Sequence, residues 1–431
     1  MDVTPMSTDV HTTGAPCMSD SPAAPGDGTT DASAADASDG RPKRRGKVKK
    51  KHTVLKVVAA SVVLLGMVTG LAVTYAYRHL SGNITTADIT DAFVEEPPAK
   101  EEVEGPKEPL NILVMGSDTR DCDGCAIDNE AGGNASDTTI LVHLSADRKR
   151  AYGISIPRDS LVTRPDCKKP DGTVVPGGTD QMWNAAFGLA GPGCTVSQFM
   201  EETGIFVDHY VVLNFVGFQD MVDAVGGVEV CIPETVDDRA HGIYLPAGTR
   251  EISGKQALSY VRQRYAVGDG SDIGRLKRQQ AFMASMANKV VSAGTLANPV
   301  RLFNFLDAAT KSLTVDKGLG NLSKLAKLGL EFKDIGLDKI QFMTIPSDYA
   351  PDDPNRIRWL PAADDVWKRI LKDQPLSRGQ SSQAISAGNV PSQGSGSSGS
   401  SGAGSDSPSS ASGSPQSEDA AEAAREAGLC A

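Results

Sequence analysis

Aromatic side chains are scarce in this 431-residue sequence: Phe, Tyr and Trp together make up 5% of it, against 44 glycines. With 39% hydrophobic residues the chain can still bury one sizeable core, so the shortage points to one large domain with long unstructured parts. Lysine and arginine are absent from residues 1–40, where Ala, Ser, Thr, Gly and Asp dominate, and such a stretch lacks the apolar surface to fold. A basic surplus is missing too. The formal net charge is −11, and beyond residue 77 there are 34 Lys/Arg against 47 Asp/Glu, which argues against non-specific nucleic-acid binding. The absence of G-x-x-x-x-G-K-[ST] excludes a P-loop kinase. Neither the seven cysteines nor His143, His209 and His241 fall at zinc-ligand spacing, and there is no internal repeat.

What is present begins with RPKRRGKVKKKH, residues 41–52, in which eight of twelve residues are Lys or Arg. An uncharged run from Val57 to Tyr77 follows, about 31 Å long as a helix and enough to cross a bilayer. The basic block precedes the span, so the positive-inside rule places the N-terminus in the cytoplasm and the remainder outside, a single-pass type II topology. A cleaved signal peptide would have a shorter apolar core nearer the start. This divides the chain into a disordered cytoplasmic tail with its basic block (1–52), a transmembrane helix (53–78), an extended Pro/Glu-rich stalk (79–108), a folded domain (109–376) and a flexible Ser/Gly-rich tail (377–431).

Within the domain, the runs LNILVMG, TTILVHLS and AYGISIP predict three buried strands. Helical patterns follow at MWNAAFGLA and TVSQFMEETG, then strand DHYVVLNF, helix VGFQDMVDAVGG and strand VEVCIP. Pro299 to Leu330 reads as helix, Ile340 to Ile345 as strand and ADDVWKRIL as a closing helix. Alternation of strand and helix predicts an α/β layered domain. Cys17 precedes the span and should stay reduced, whereas Cys122, Cys125, Cys167, Cys194, Cys231 and Cys430 follow it, where disulfides persist; six cysteines allow 15 connectivities. Cys122 and Cys125 sit in a polar loop without a helix start to activate a thiol, which favours a structural bridge over a redox site.

The densest cluster of chemistry is Ser253 to Gln280, SGKQALSYVRQRYAVGDGSDIGRLKRQQ. Arg262 and Arg264 are two residues apart, on one side of an extended backbone. After two glycines, Asp272 is positioned to cap a helix carrying Arg275, Arg278 and Gln279 at three- and four-residue spacing. Guanidinium groups suit bidentate recognition of phosphate, so this arrangement predicts a diphosphate clamp. A lone R-x-R would read instead as a solvated, ion-paired surface. Asp118 follows the first strand and Asp137 opens the second; if those strands are antiparallel neighbours, the two carboxylates can share Mg²⁺, which favours carboxylate and phosphate oxygens. Taken singly, each is as readily a turn residue. Arg158 and Asp159 end the third strand, where the plain reading is a turn with an ion pair.

These segments resemble the motifs of the LytR-CpsA-Psr family of membrane-anchored cell-wall glycopolymer ligases. Asp118, Thr119 and Arg120 in GSDTR resemble its first motif, Asp137 in SDTTIL its second, and Arg158 and Asp159 in SIPRDS its third. Arg262, Arg264, Asp272, Gly274, Arg275, Arg278, Gln279 and Gln280 resemble the last and most specific one, and the likeness runs from about Leu110 to Val290, more loosely to Lys372. Met182 departs from it, standing where many members have a lysine; Lys168 or Lys169 is the available substitute. The resemblance implies a three-layer α/β/α domain with a mixed central sheet and a groove for a polyprenyl chain. It also implies transfer of a glycan phosphate from undecaprenyl pyrophosphate to peptidoglycan or another cell-wall acceptor. Mg²⁺ on Asp118 and Asp137 would act with Arg120, Arg158, Arg262, Arg264 and Arg275, and Asp159 or Asp118 would take the acceptor proton. The clamp equally fits a polyprenyl pyrophosphate hydrolase or a non-catalytic lipid-binding scaffold. A transcriptional regulator is disfavoured by the external placement of the domain.

Overall fold

The computed structural model describes residues 52–117, 136–238, 243–263, 270–291, 295, 298–390 and 429–430. The chain divides into two compact units, Met1–Val63 and Leu64–Ala431; the described part of the first is His52 and the opening of helix α1 (Thr53–Asn83), with every side chain exposed. By length and composition, α1 is able to cross a membrane.

The second unit is built on an eight-stranded sheet. Its strands are β1 (Thr85–Thr86), β2 (Leu110–Ser117), β3 (Ser136–Leu144), β4 (Ala151–Ile156), β5 (His209–Asn214), β6 (Leu313–Val315), β7 (Ile340–Thr344) and β8 (Ile385–Ser386), in the order β1-β6-β5-β2-β3-β4-β7-β8. The β1/β6, β5/β2 and β4/β7 pairs are parallel and the other four antiparallel, so the sheet is mixed. The first two long strands are antiparallel neighbours, with Gly116 opposite Thr138 and Ser117 opposite Ser136 across a bulge.

Both faces are covered, which is why β4 is buried at all six positions and reads as continuous rather than alternating apolar sequence. One face presents Leu113, Met115, Leu141, Ile154 and Met343 to helices α2 (Ala185–Thr203) and, further along the chain, Pro361–Leu371. The few aromatics are concentrated here: all three tryptophans, Trp183, Trp359 and Trp367, form one cluster with Phe199. The opposite face packs Leu144, Ile340 and Phe342 against Ala284 and Ile335 on other helices. A second core joins α3 (Phe215–Ala224), the hairpin of Val228–Ile232 with Gly248–Ile252, α4 (Gly254–Arg262) and α5 (Asp272–Val291) through Val222, Val230, Tyr260 and Phe282. Helices α6 (Pro299–Ser312) and α7 (Leu322–Ile335), then α8 (Pro361–Leu371) and α9 (Arg378–Gln383), complete the unit.

Several expectations change. The helix expected from Pro299 to Leu330 is broken, because the β-branched Thr314 and Val315 join the sheet and Gly318 and Gly320 turn the chain before Asn321 caps α7. The segment read as a stalk contributes β1 to the sheet edge and a bridge from Phe93 to Cys167. The segment assigned to a tail from residue 377 supplies α9 and β8, and Leu429 packs on Ala281. Two disulfides are present among the described residues, Cys167 to Cys194 and Cys231 to Cys430; Cys122 and Cys125 lie outside them.

Candidate active site

The sheet topology brings four chain segments to one end of the sheet. There the last residues of β2 and β5, Ser117 and Asn214, are neighbours, Ser136 opens β3, and β4 runs out at Ile156 beside Thr139. The loop after β4 is held rigidly. Asn184 N–H donates to the Arg158 carbonyl at 3.1 Å, Trp183 N–H to the Ser160 carbonyl at 2.8 Å and Ile357 N–H to the Asp159 carbonyl at 3.1 Å. The Trp183 and Trp359 ring N–H groups donate to Thr139 and Ser160 hydroxyls. The WNAA segment looks like an ordinary helix start, and nothing in its pattern marks it as the brace.

Arg158 Nε stands 3.3 Å from Asp159 Oδ2, and Arg275 Nη2 stands 3.0 Å from Asp272 Oδ1. The two ion pairs meet through their carboxyls, since Asp159 and Asp272 are in hydrogen-bonding contact. Burial pushes the Asp159 carboxyl up; Arg158 pulls it down, and the Asp272 carboxyl adds to the upward push. Arg158, Asp159, Asp272 and Arg275 thus form a line between the β4 loop and the start of α5, with two adjacent carboxyls flanked by a guanidinium at each end. Asp272 is the first residue of α5 rather than its cap, and the Ser271 hydroxyl accepts from Gly274 N–H instead.

Arg262 ends α4 with its guanidinium 4.8 Å from the centroid of the Phe215 ring, a cation–π contact with the first residue of α3. Arg278 and Gln279 hold this arrangement from behind. Arg278 is fully buried and donates to the Gln263 carbonyl, while Gln279 Nε2 donates to the Val261 carbonyl at 3.1 Å. These contacts satisfy carbonyls at the end of α4 that the helix leaves unpaired. The expectation that Arg278 faces the ligand gives way to a positioning role, because its side chain has no exposed surface. Gln279 keeps a buried Oε1 with no donor among the described residues. Gln263, which donates to Asp238 at 2.9 Å, and Phe215 were not legible as site residues because each depends on a contact distant in sequence.

Asp118, Arg120 and Arg264 lie outside the described residues, as does the side chain of Asp137, whose backbone is in β3. Among the described residues, no group of three or more His, Cys, Asp or Glu is placed to hold a metal ion. Arg158, Asp159, Arg262, Asp272, Arg275 and Gln279 stand on this end of the fold. A model described as the LytR_cpsA_psr family matches residues 76–367, most of the chain and every element of this arrangement.

The chain belongs to the LytR_cpsA_psr family. Cell wall biosynthesis protein LcpA of Corynebacterium glutamicum is 34% identical over 261 residues, 55% of this chain and 49% of that protein. The polyisoprenyl-teichoic acid–peptidoglycan teichoic acid transferase TagT of Bacillus subtilis is 29% identical over 263 residues, 59% of this chain and 76% of that one. The chain spans about half the length of LcpA and of the probable cell wall biosynthesis protein LcpB from the same organism, 49% and 52%. The crystal structure of B. subtilis TagV aligns with a TM-score of 0.48 at 24% identity, over 63% of this chain and 99% of that one. The family match includes the β4 loop, α4 and α5, and so the whole described part of the arginine and carboxylate arrangement.

Proposed function

We propose that this LytR_cpsA_psr protein is a membrane-anchored phosphotransferase that moves a glycopolymer phosphate from undecaprenyl pyrophosphate to a cell-wall acceptor, peptidoglycan in the first instance. The observation that carries the reading is the line Arg158–Asp159–Asp272–Arg275 with Arg262 at the same end of the sheet. Fixed guanidiniums suit a substrate whose charge lies on two phosphates. The relatives named as teichoic acid transferases agree in substrate class. Under the type II topology, α1 anchors the enzyme and the sheet-bearing part of the chain that follows it lies outside.

In the proposed reaction the acceptor hydroxyl attacks the glycan-bearing phosphorus, a new P–O bond forms, and the bond to the bridging oxygen breaks to release undecaprenyl phosphate. Arg158, Arg262 and Arg275 orient the diphosphate and offset the charge that develops on its oxygens, and Arg120 and Arg264 belong to the same set. Asp159, with its carboxyl pushed up by burial, is suited to take the acceptor proton; Asp118 is the other candidate base. Asp118 follows the last residue of β2 and Asp137 the first of β3, which face each other, and their hard oxygen donors fit Mg²⁺. When bound, the ion would supply positive charge to the phosphate oxygens.

The test is full-length protein in vesicles with a polyprenyl-pyrophosphate glycan and peptidoglycan fragments. Glycan joined to the acceptor with equimolar polyprenyl phosphate is expected; release of free glycan phosphate regardless of acceptor would identify a hydrolase, and binding without turnover a scaffold. Mg²⁺ should raise the melting temperature, and Asp118→Asn with Asp137→Asn should remove that response. An unchanged response in the double variant would remove the metal assignment.

A further inference from the structure

The end of α1 is not a free tether. His79 Nε2 lies 2.7 Å from Asp307 Oδ1, and Asn83 Nδ2 donates to Asp307 Oδ1 at 3.0 Å and to the Thr310 hydroxyl at 3.3 Å. The His79 ring stacks on Tyr75 within α1 and on Phe303 of α6, at 5.8 Å and 6.1 Å between centroids. Residue numbers rise together in these pairs, 79 with 303 and 307, then 83 with 307 and 310, so the last turns of α1 and the body of α6 run parallel. The hydrogen-bonded pairs are 224 to 228 residues apart, and the same offset sets Val300 level with residues 72–76 of α1. At that level Tyr75 and Val300 are each 68% exposed. Arg301 beside Val300 is exposed as well, and the only buried residue of α1 is Leu80, one turn nearer the sheet.

We propose that the first turn of α6, Pro299 to Phe303, contacts the bilayer surface into which α1 inserts. This rests on reading α1 as a membrane anchor. An exposed valine beside an arginine, at the depth of the aromatic residues Tyr75 and Tyr77, has the composition of a membrane–water boundary: apolar contact for the acyl region, a cation for lipid phosphates, aromatic rings at headgroup level. The occupant is lipid rather than a protein partner because the face continues the surface of a helix whose preceding residues are apolar and exposed. The parallel pairing also orients the sheet. α6 leads from the boundary into β6 at Leu313, which pairs with Leu213 beside Asn214, so the end of the sheet carrying Arg158, Asp159 and Arg275 is the end turned toward the membrane. The opposite end carries the turn between β3 and β4, where Arg148 and Lys107 both pair with Glu331 of α7.

The experiment places an environment-sensitive fluorescent amino acid at Val300, Leu71 or Leu330 of the full chain in vesicles of phosphatidylcholine and phosphatidylglycerol, with nitroxide lipids as quenchers. Leu330 adjoins Glu331 at the far end of the sheet and is exposed. Blue-shifted emission at position 300 quenched by a shallow nitroxide, quenching at 71 by a deep one, and neither at 330 is the expected pattern. Quenching at 71 with a water-like signal at 300 overturns the contact and leaves the anchor intact. Absence of quenching at both overturns the anchor itself. A blue shift at 300 that no nitroxide lipid quenches assigns the face to protein, a second copy of the chain, and also overturns the proposal.

Discussion

Among the arginines of the last motif, the structure separates two jobs that spacing alone could not. Arg262 lies against an aromatic face and Arg275 against a carboxylate, whereas Arg278 is spent on the frame. Arg262→Ala should lower kcat roughly 10- to 100-fold, the equivalent of a charge-assisted contact of about 1.5 to 3 kcal/mol, with an unchanged denaturation midpoint. Arg278→Ala should lose a similar amount in unfolding free energy, because a buried carbonyl at Gln263 loses its donor; guanidinium titrations of both variants distinguish them. Asp159 gives a pH prediction. A carboxyl whose native pKa is raised holds its proton more tightly folded than unfolded, so its contribution is complete below the ordinary value of 3.8 and is lost as pH rises through the native one. Asp159→Asn should therefore melt higher than the unaltered protein at neutral pH, and the gap should close in acid; a melting difference independent of pH would contradict it. Motif order and residue type made Arg158, Asp159, Arg262 and Arg275 legible in the sequence. Phe215 and Gln263 were invisible, since a cation–π contact and a carbonyl held across 15 residues leave no periodic trace.

The long elements were readable because apolar content and period agreed in them: β2, β3, β4, β5 and α8 stand where the pattern places them. The short edge strands were not. Thr85–Thr86 and Ile385–Ser386 become strands only because neighbouring strands offer unpaired backbone groups, and two residues carry no alternation to detect. The contact between α3 and α6 makes its own demand: a Cβ on Gly217 would lie 1.9 Å from that of Ser312, so Gly217→Ala should destabilise the unit by about 1 to 3 kcal/mol in chemical denaturation, through overpacking. Gly254 meets the Gln219 backbone in the same way where α4 passes α3. The bridge from Cys231 to Cys430 spans 199 residues, and the chain-entropy argument assigns a link of that span roughly 5 kcal/mol. Cys430→Ser in the full chain should therefore shift the urea midpoint downward, and added reductant should then shift it further, among the described residues through Cys167–Cys194.

At the scale of the whole molecule, the clasp on Asp307 is what replaces the expected stalk by a fixed mount. Lys311 and His79 hold the Asp307 carboxyl below its ordinary value against the opposing effect of burial, which is the larger single influence. Asp307→Ala should widen the distribution of distances between spin labels placed on α1 and on the first turn of α6, while the melting temperature of the sheet-bearing unit changes little. The order of strands has a further consequence, in time rather than in space. β2, β4 and the centre of β3 are made early and are largely apolar, yet β6 and β7, which flank the β5-to-β4 block in the finished sheet, are encoded some 100 to 125 residues after the end of β5, and β8 later still. At about 5 to 20 residues per second, an emerging chain leaves that block unflanked for roughly 5 to 25 s. During this interval its sticky margins need a holding factor, and a chain truncated before Leu313 should aggregate rather than persist as a smaller folded unit.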